Sequence, residues 1–304
     1  MRSFPTPIIL ETLLAGLFDY AGMFPPAALA LDDALRESAG LPASLRRPWL
    51  LGADLVVTVE TARTLLSMDL RPFGFMRPLR LALLATEKPE SVDDVISSFL
   101  SSEKQEGVPH AVSSIELKVP SEDASSLVEP FDRLTVRHNI PFFLEPDLSQ
   151  ANWAATLTET TTLLSRCTSA AGLKCRLTGP TGIDADRLAG AVVAVCDAKL
   201  PFKVTGGLHH PFFNPKRADS KGGFINVAAA VMLRRALGDQ ISKESIIGLL
   251  ENEDAKALSF DESLNYGALV VESNQLSVIK SSAPFSIGSC SLREPDDDLH
   301  KLLD

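Results

Sequence analysis

The sequence lacks the features that mark several large classes of protein. No apolar run approaches the roughly 18 to 20 residues that span a bilayer, and the short amino-terminal run is interrupted by Glu11, so we expect no membrane partner and no signal peptide. The 304 residues carry a net charge of -10 and no block of lysine and arginine, which argues against nucleic acid as the main partner. The composition, 45% hydrophobic and 22% charged, predicts a soluble globular protein of the cytoplasm.

Metal and cofactor motifs are also missing. The sequence has no G-x-G-x-x-G after an early strand, no H-x-H and no H-E-x-x-H, so it predicts neither a resident metal nor an organic cofactor. Four cysteines are present, without C-x-x-C or zinc spacing, and we expect them to be reduced core residues. They are Cys167, Cys175, Cys196 and Cys290.

What the sequence does have is a regular rhythm of short apolar runs rich in β-branched or aromatic residues. Successive runs begin 28 to 34 residues apart, which is the length of one strand and one helix. The stretches between them have helical periodicity, for example after Asp184, which can cap a helix. The starts of the runs are Trp49, Leu79, Ser113, Pro141, Ala171 and Pro201.

Alternating strands and helices indicate a parallel sheet. An earlier strand is expected near "AGLFDY", followed by a helix that ends at Gly40, and a last one at "APFSIGSCS". The sequence therefore predicts a (β/α)8 barrel, a single domain over residues 1–304, with an insertion in the segment 211–283 before the eighth strand. That segment should hold two helices and a strand-like stretch "GALVVESNQLSVI". An open doubly wound sheet is the alternative.

The predicted strands have one apolar face and one charged face. In the fourth strand Ile115 and Leu117 alternate with Glu116 and Lys118, and other strands follow the same rule. Since the outer helices require the apolar face, we expect the charged side chains inside the barrel. The expected lumen set is Asp54, Glu116, Lys118, Glu145, Lys174, Arg176 and Lys203.

This set has three acids and four bases, so its charges sum to +1 within an acidic chain. An enclosed site with a positive excess favours a small anionic ligand, a carboxylate or a phosphate, and Arg176 and Lys118 are the candidates to hold it. The alternative is a structural network in which the charges neutralise one another, since unpaired buried ions cost several kcal/mol each.

The lysines at the ends of the sixth and seventh strands, Lys174 in "GLKCRLTGP" and Lys203 in "PFKVTGGLHHP", resemble the pair in class I aldolases of the deoxyribose-phosphate aldolase type. The seventh-strand half shares K-x-x-G-G, whereas Arg176 stands near where that family has a small hydroxyl residue. The resemblance implies that Lys174 forms a Schiff base with a carbonyl substrate and that Lys203 lowers its pKa.

General chemistry supports this pairing. A free lysine is almost wholly protonated at neutral pH, and only a neutral amine attacks a carbonyl. Nearby positive charges, here Lys203 and Arg176, and exclusion of water both lower a lysine pKa. Glu116 or Glu145 could then carry protons.

The chain also resembles an uncharacterised family of bacterial proteins, which carries three motifs but no established activity. The motifs are "FDYAG-FPPA" at Phe18–Ala27, "PFK-T-GLHHP" at Pro201–Pro211 and "GSCS--EP" at Gly288–Pro295.

Further candidates for substrate contact lie near the expected strand ends. The loops after the seventh and eighth strands often bind phosphate in barrels. For the two histidines, metal binding, acid-base work and a structural loop role all stay open. The candidates are Asp19, Asp54, Thr205, Gly206, Gly207, His209, His210 and Ser289.

Together these observations predict a lyase, similar to class I aldolases, that acts on a small anionic carbonyl metabolite through a Schiff base on Lys174. Two alternatives remain: a metal-dependent lyase or isomerase using His209 and His210, and a metabolite-binding barrel without catalysis. The sequence does not settle the oligomeric state, and a homo-oligomer is compatible with it.

Overall fold

A computed structural model describes residues 6–86, 88–102, 110–118, 124–217 and 220–303. Its first seven strands are parallel, and each overlaps one of the strands that the sequence predicts. They are β1 (Phe18–Tyr20), β2 (Leu51–Thr58), β3 (Leu79–Ala85), β4 (His110–Lys118), β5 (Phe142–Glu145), β6 (Ala171–Arg176) and β7 (Phe202–Thr205).

The segment after β7 contains the predicted insertion. A small antiparallel sheet of β8 (Leu258–Ser259), β9 (Ser263–Tyr266) and β10 (Leu269–Glu272) precedes the eighth barrel strand, β11 (Phe285–Ser289). Strand β11 pairs with β7 on one side and β1 on the other, which closes a barrel in the order β1-β11-β7-β6-β5-β4-β3-β2. The predicted (β/α)8 barrel with an insertion before its last strand is confirmed.

Helices fill the connections and pack outside the barrel. Within the described residues they are α1 (Ile8–Leu14), α2 (Leu31–Ser44), α3 (Val59–Leu66), α4 (Pro89–Ser102), α5 (Ala124–His138), α6 (Trp153–Leu164), α7 (Ala185–Asp197), α8 (Phe224–Leu237), α9 (Lys243–Leu250), α10 (Ser273–Ser282) and α11 (Arg293–Leu303). The Asp184 side chain accepts a hydrogen bond from the Arg187 amide at 3.0 Å and so caps α7, as predicted. None of the described helices combines the length and apolar composition that a bilayer crossing needs.

Two element boundaries differ from the predictions. Helix α2 continues past Gly40 to Ser44, because Gly40 does not adopt positive φ and Leu41 is buried against the core. In the stretch predicted as a strand after Gly267, only Leu269–Glu272 is extended. Helix α10 follows at once, because Glu272 and Gln275 form a reciprocal capping box.

The core lies between the barrel and its helices. The outward side chains of β4 to β7 are almost fully buried there, as the alternation predicted. They are Ile115, Leu117, Phe142, Leu144, Leu173, Cys175, Phe202 and Val204. The opposite face of the same strands must therefore point into the barrel, and this positions the charged residues.

Candidate active site

A cavity of about 600 Å³ opens at the carboxyl ends of the barrel strands. Its walls come from the strand ends and from the loops after β1, β6, β7 and β11. In barrels of this class the ligand site is built at this end, where the loops after the strands converge. The cavity is therefore the candidate active site.

A buried ion-pair network forms the floor of this cavity. The Lys174 Nζ lies 2.6 Å from Glu116 Oε2 and 2.7 Å from Glu145 Oε2. The Lys203 Nζ lies 2.7 Å from Asp19 Oδ2 and 2.5 Å from Glu116 Oε1. Glu116 thus joins the two lysines through its two oxygens.

Strand register explains why the two lysines meet. Strands β6 and β7 pair in parallel with Lys174 beside Lys203, and Arg176 beside Thr205 two residues further on. Residues two apart in a strand point to the same face. The pairing therefore stacks a lysine layer beneath a layer that contains Arg176, and the cavity opens above both.

The charges in the network outweigh the effect of burial on its carboxylates. Burial by itself would raise the pKa of Glu116, but Lys174 and Lys203 lower it to about 2. Burial likewise opposes ionisation of Glu145, yet Lys174 and Arg176 hold its pKa below the usual value. Burial would also lower the pKa of Lys203, but Asp19 and Glu116 raise it well above the usual value. These three groups are therefore charged at neutral pH.

The immediate surroundings of Lys174 differ from the expectation that cations surround its amine. The structure interposes Glu116 between Lys174 and Lys203, and Glu145 between Lys174 and Arg176. The reason is geometric: carboxylates on β4 and β5 enter the same lumen layers as the cations on β6 and β7. The Lys174 amine thus contacts two carboxylates directly, Glu116 and Glu145.

The charge count of the lumen also changes. Asp19, at the end of β1, contacts Lys203 and adds a fourth acid to the three expected from the strand pattern. Arg80, which pairs with Asp54, adds a fifth base in the same way, so four acids and five bases again sum to +1. Because this excess is small, an anion site depends mainly on where individual cations lie.

Asp54 lies inside the barrel, deeper than the cavity. Its Oδ1 accepts a hydrogen bond from Arg80 Nε at 3.0 Å, across the pair of strands β2 and β3. Burial, and next the negative charge of Asp19, raise the pKa of Asp54 to about 6. Asp54 is thus coupled to the lysine network without lining the cavity.

The raised pKa of Asp54 predicts a pH dependence of stability. Between about pH 4 and pH 6 the folded protein binds a proton that the unfolded chain has released, so stability falls as pH rises through this window, by on the order of 2 kcal/mol. Above pH 6 the contribution is fully lost. Urea unfolding of wild type and Asp54→Asn across pH 4.5 to about 7.5 measures it, and the variant should remove this decline.

A matched control is Asp261→Asn, which removes an exposed aspartate far along the chain and should leave the decline in place. Glu116 has the opposite effect, because its pKa is lowered: protonation of Glu116 reduces stability as pH falls from about 4.5 toward 2. This range lies below the pH values that are measured. Equal slopes for Asp54→Asn and wild type would contradict the assignment.

Arg176 and Lys118 are the cations nearest the open side of the cavity. The Arg176 guanidinium forms a fork with Glu145, with Nε at 2.6 Å from Oε1 and Nη2 at 3.2 Å from Oε2. About a third of the Arg176 side chain is exposed (32%), and the fork uses two of the five N–H donors of a guanidinium. Lys118 lines the cavity as an exposed residue at the end of β4. Both remain candidates for an anionic group.

The glycines after β7 have a backbone reason to be there. Gly206 and Gly207 have φ of +87° and +71°, and a Cβ at Gly206 would lie 2.3 Å from Thr178 Oγ1. Thr205 lines the cavity, and its hydroxyl donates to the Gly288 carbonyl at 3.2 Å. The turn brings the β7 loop against the β6 loop, and Thr205, Gly206 and Gly207 all line the cavity.

The two histidines diverge. His209 lines the cavity, whereas His210 is buried with Nδ1 2.6 Å from Asp298 on α11. Successive residues in this loop thus face different neighbours, so the two rings do not converge on one ion. Among the described residues no three His, Cys, Asp or Glu side chains are grouped as metal ligands would be.

Strand β11 sorts its residues in the same way. Gly288 and Cys290 line the cavity, while Ser289 is buried off it and its hydroxyl donates to the Ser291 carbonyl at 2.5 Å. Ser289 therefore fits a structural role at the strand end better than the expected substrate contact.

The expectation that the cysteines are core residues holds for Cys175, which is buried in the core, but not for Cys290.

Several residues in and around the cavity were not among the sequence-based candidates. Arg80, which holds Asp54 below the cavity, follows the same strand alternation and could have been found from it. Apolar cavity residues carry no such signal, because a valine or leucine inside a strand reads as core. The cavity residues missed are Ala21, Phe24, Pro25, Pro26, Val56, Leu84, Thr178, Gly179, Pro180, Thr181, Gly288 and Cys290.

No protein-family model and no curated protein sequence matches this chain. Solved structures do match. A deoxyribose phosphate aldolase from Aeropyrum pernix has a TM-score of 0.51 at 11% identity, over 98% of this chain and 99% of that chain. A TatD homologue from Escherichia coli K12 has a TM-score of 0.34 at 16% identity, over 95% of each chain.

The shared property is the fold. At such low identity the aldolase similarity shows a common barrel and leaves the chemistry to be argued from the site. Membership of the family that carries the three motifs stays a prediction.

Proposed function

We propose that this protein is a lyase of the class I aldolase type, which breaks or forms a carbon–carbon bond in a small anionic carbonyl compound through a Schiff base on Lys174. One observation carries the proposal: Lys174 and Lys203 both line the candidate active-site cavity and share the carboxylate of Glu116. A lysine that is buried, open to a cavity and has a second lysine in the same network fits the setting in which Schiff-base lysines act, since desolvation and a nearby cation activate the amine.

Glu116 and Glu145 would take part in forming the Schiff base. The Lys174 ammonium passes a proton to one of these carboxylates, and the neutral amine attacks the carbonyl carbon. The carbonyl oxygen leaves as water with two of the three ammonium protons, and the remaining N–H stays on the iminium. The positive charge is conserved, so the neighbouring carboxylates of Glu116 and Glu145 continue to stabilise it.

The iminium then accepts electrons from the bond that breaks. A carboxylate removes the proton of a hydroxyl on the second carbon from the iminium carbon. The bond between that carbon and its neighbour nearer the iminium then breaks. An aldehyde leaves, and an enamine stays bound to Lys174. The enamine takes a proton at carbon, and water releases the second product. Lys203 would act as a positioning residue, because its charge holds Glu116 and Asp19 in place beneath the reacting atoms.

The anionic part of the substrate is proposed to bind at Arg176. Part of its guanidinium is exposed to the cavity, and Lys118 lies at the rim. The Thr181 hydroxyl in the β6 loop is buried and has no hydrogen-bond partner among the described residues, which leaves a polar contact for a ligand or water there. These groups lie on the side of the cavity that also carries Lys174.

Borohydride trapping tests the proposal. Incubation with α-keto acids and small aldehydes, followed by sodium borohydride, should leave a stable mass adduct on the peptide that contains Lys174. Peptide mapping by mass spectrometry locates it. Adducts confined to exposed lysines, at rates set by exposure alone, would refute covalent catalysis at this site.

A second candidate function is a metabolite-binding barrel without catalysis. Its supporting observation is that each amine of the network contacts two carboxylates, which also suits a purely structural arrangement. Ligand binding without any Lys174 adduct would favour it. The metal-dependent alternative gains no support from the diverging histidines.

The matched aldolase is described as a tetramer, which supports proposing a homo-oligomer for this chain too. Light scattering in solution measures it. A cytoplasmic location stays a prediction.

A further inference from the structure

The cavity has two unlike halves. One side carries the charged residues of β4, β6 and β7 that line the cavity, and the polar loops that follow β6 and β7. The other side is formed by β1, β2, β3 and the loop after β1, and we call its apolar lining the apolar wall. The apolar wall consists of Ala21, Phe24, Pro25, Pro26, Val56 and Leu84.

Barrel order places the apolar wall opposite the lysines. In the closed ring, β2 lies across from β6 and β3 lies across from β7. Val56 and Leu84 therefore face the strands that carry Lys174 and Lys203. The change from apolar to charged lining is abrupt, because Leu84 pairs in register with Glu116 on the adjacent strand.

A substrate rich in hydroxyl groups does not suit this cavity. Hydroxyls placed against the apolar wall would lose their water without gaining hydrogen-bond partners, which opposes binding. An apolar substituent there would gain by leaving water. The loop residue Phe24 and the exposed prolines Pro25 and Pro26 extend this surface to the mouth, so the substituent could reach beyond the barrel rim.

The charged half sets how far the carbonyl lies from the anionic group. Glu145 Oε2 contacts both the Lys174 Nζ, at 2.7 Å, and the Arg176 Nη2, at 3.2 Å. A single carboxylate oxygen therefore spans the gap between the amine and the guanidinium. A carboxylate bonded directly to the carbonyl carbon, as in an α-keto acid, has the short reach that this gap requires.

From these two halves we propose that the substrate is an α-keto acid with an apolar substituent, whose carboxylate binds Arg176, whose carbonyl meets Lys174 and whose substituent packs on the apolar wall. This deepens the proposed function and rests on it for the covalent step. The apolar preference itself is a binding property and can be measured without that step.

The test compares α-keto acids that would form the same Schiff base but carry different substituents. Borohydride trapping at Lys174 is measured for α-ketoisocaproate, which has a branched apolar end, for α-ketoglutarate, which has a charged end, and for pyruvate, which has only a methyl group. We expect half-saturation for α-ketoisocaproate at a concentration lower by about tenfold or more than for the other two.

Equilibrium dialysis with isocaproate and glutarate, which have no keto group, gives the same comparison without a Schiff base. Isocaproate should bind more tightly. Leu84→Asn places an amide in the apolar wall at nearly constant size and should remove most of the preference in both assays. Phe24→Ser does so from a loop outside the barrel, which covers the case that Leu84→Asn fails to fold. The control is Leu100→Asn on α4, at a leucine 49% exposed outside the barrel, which should change nothing.

The outcomes separate the two proposals. Equal trapping of all three keto acids at Lys174 would overturn the apolar-substituent inference and leave the lyase proposal standing. No Lys174 adduct, with isocaproate still preferred and the preference lost in Phe24→Ser, would overturn the lyase proposal alone. No adduct and no preference for isocaproate over glutarate would overturn both.

Discussion

Replacing Glu116 by glutamine is expected to lower the free energy of unfolding by about 3 to 5 kcal/mol. The substitution keeps the size of the side chain but removes the charge that Lys174 and Lys203 share at 2.6 and 2.5 Å. Two buried ammonium groups are then left with Glu145 and Asp19 as their only remaining carboxylate contacts in the network. Breaking a buried pair costs far more than an exposed one, because the remaining charge has already lost its water. Urea unfolding at pH 7 measures the change.

The matched control is Glu129→Gln on α5. Glu129 accepts a hydrogen bond from Arg133 at 2.9 Å, but both side chains are largely exposed. Its loss should change stability by no more than about 0.5 kcal/mol. If Glu116→Gln lowered the free energy of unfolding no more than Glu129→Gln does, the two lysines would not depend on Glu116. The ion pairs described for Glu116 would then be wrong.

Lys174→Met is expected to abolish borohydride trapping, and Lys203→Met to slow it by about tenfold or more. In the proposed mechanism Lys174 supplies the nitrogen that bonds to the carbonyl, so without it no adduct can form in the cavity. Lys203 contributes no bonding atom. Its removal takes away the charge that holds Glu116 and Asp19 in place beneath the reacting atoms. Mass spectrometry of quenched time points measures both rates.

Lys280 gives a demanding control for this experiment. Its amine donates to the Thr12 carbonyl at 2.6 Å, outside the candidate active site, and burial lowers its pKa to about 8. Its amine therefore loses a proton more readily than that of an ordinary lysine, and it forms no ion pair with a carboxylate among the described residues. Lys280→Met should leave the adduct on the Lys174 peptide unchanged. If the total adduct on the protein disappeared in Lys280→Met and persisted in Lys174→Met, trapping would depend on the general reactivity of an amine and not on binding in the cavity.

Local patterns in the sequence were enough to predict the strands and the faces of those strands. Side chains alternate within a strand whatever its partners are, so the parity of Glu116, Lys174 and Lys203 against their apolar neighbours places all three inside the barrel. The 28-to-34-residue rhythm likewise reports strand-helix units and hence the barrel. The boundaries of α2 and α10 were less accessible, because they depend on burial of Leu41 and on the capping pair of Glu272 and Gln275.

Only the tertiary structure decided which charges meet and which residues form the cavity. The contact between Lys203 and Asp19 joins residues 184 positions apart, and it requires β11 to close the barrel between β7 and β1. The register of β3 against β4 sets Leu84 beside Glu116, and the position of α11 brings Asp298 to His210. Alternation within one strand is a local property of the backbone, and the sequence by itself determined it; contacts between strands depend on register and closure over the whole ring, which no short stretch encodes.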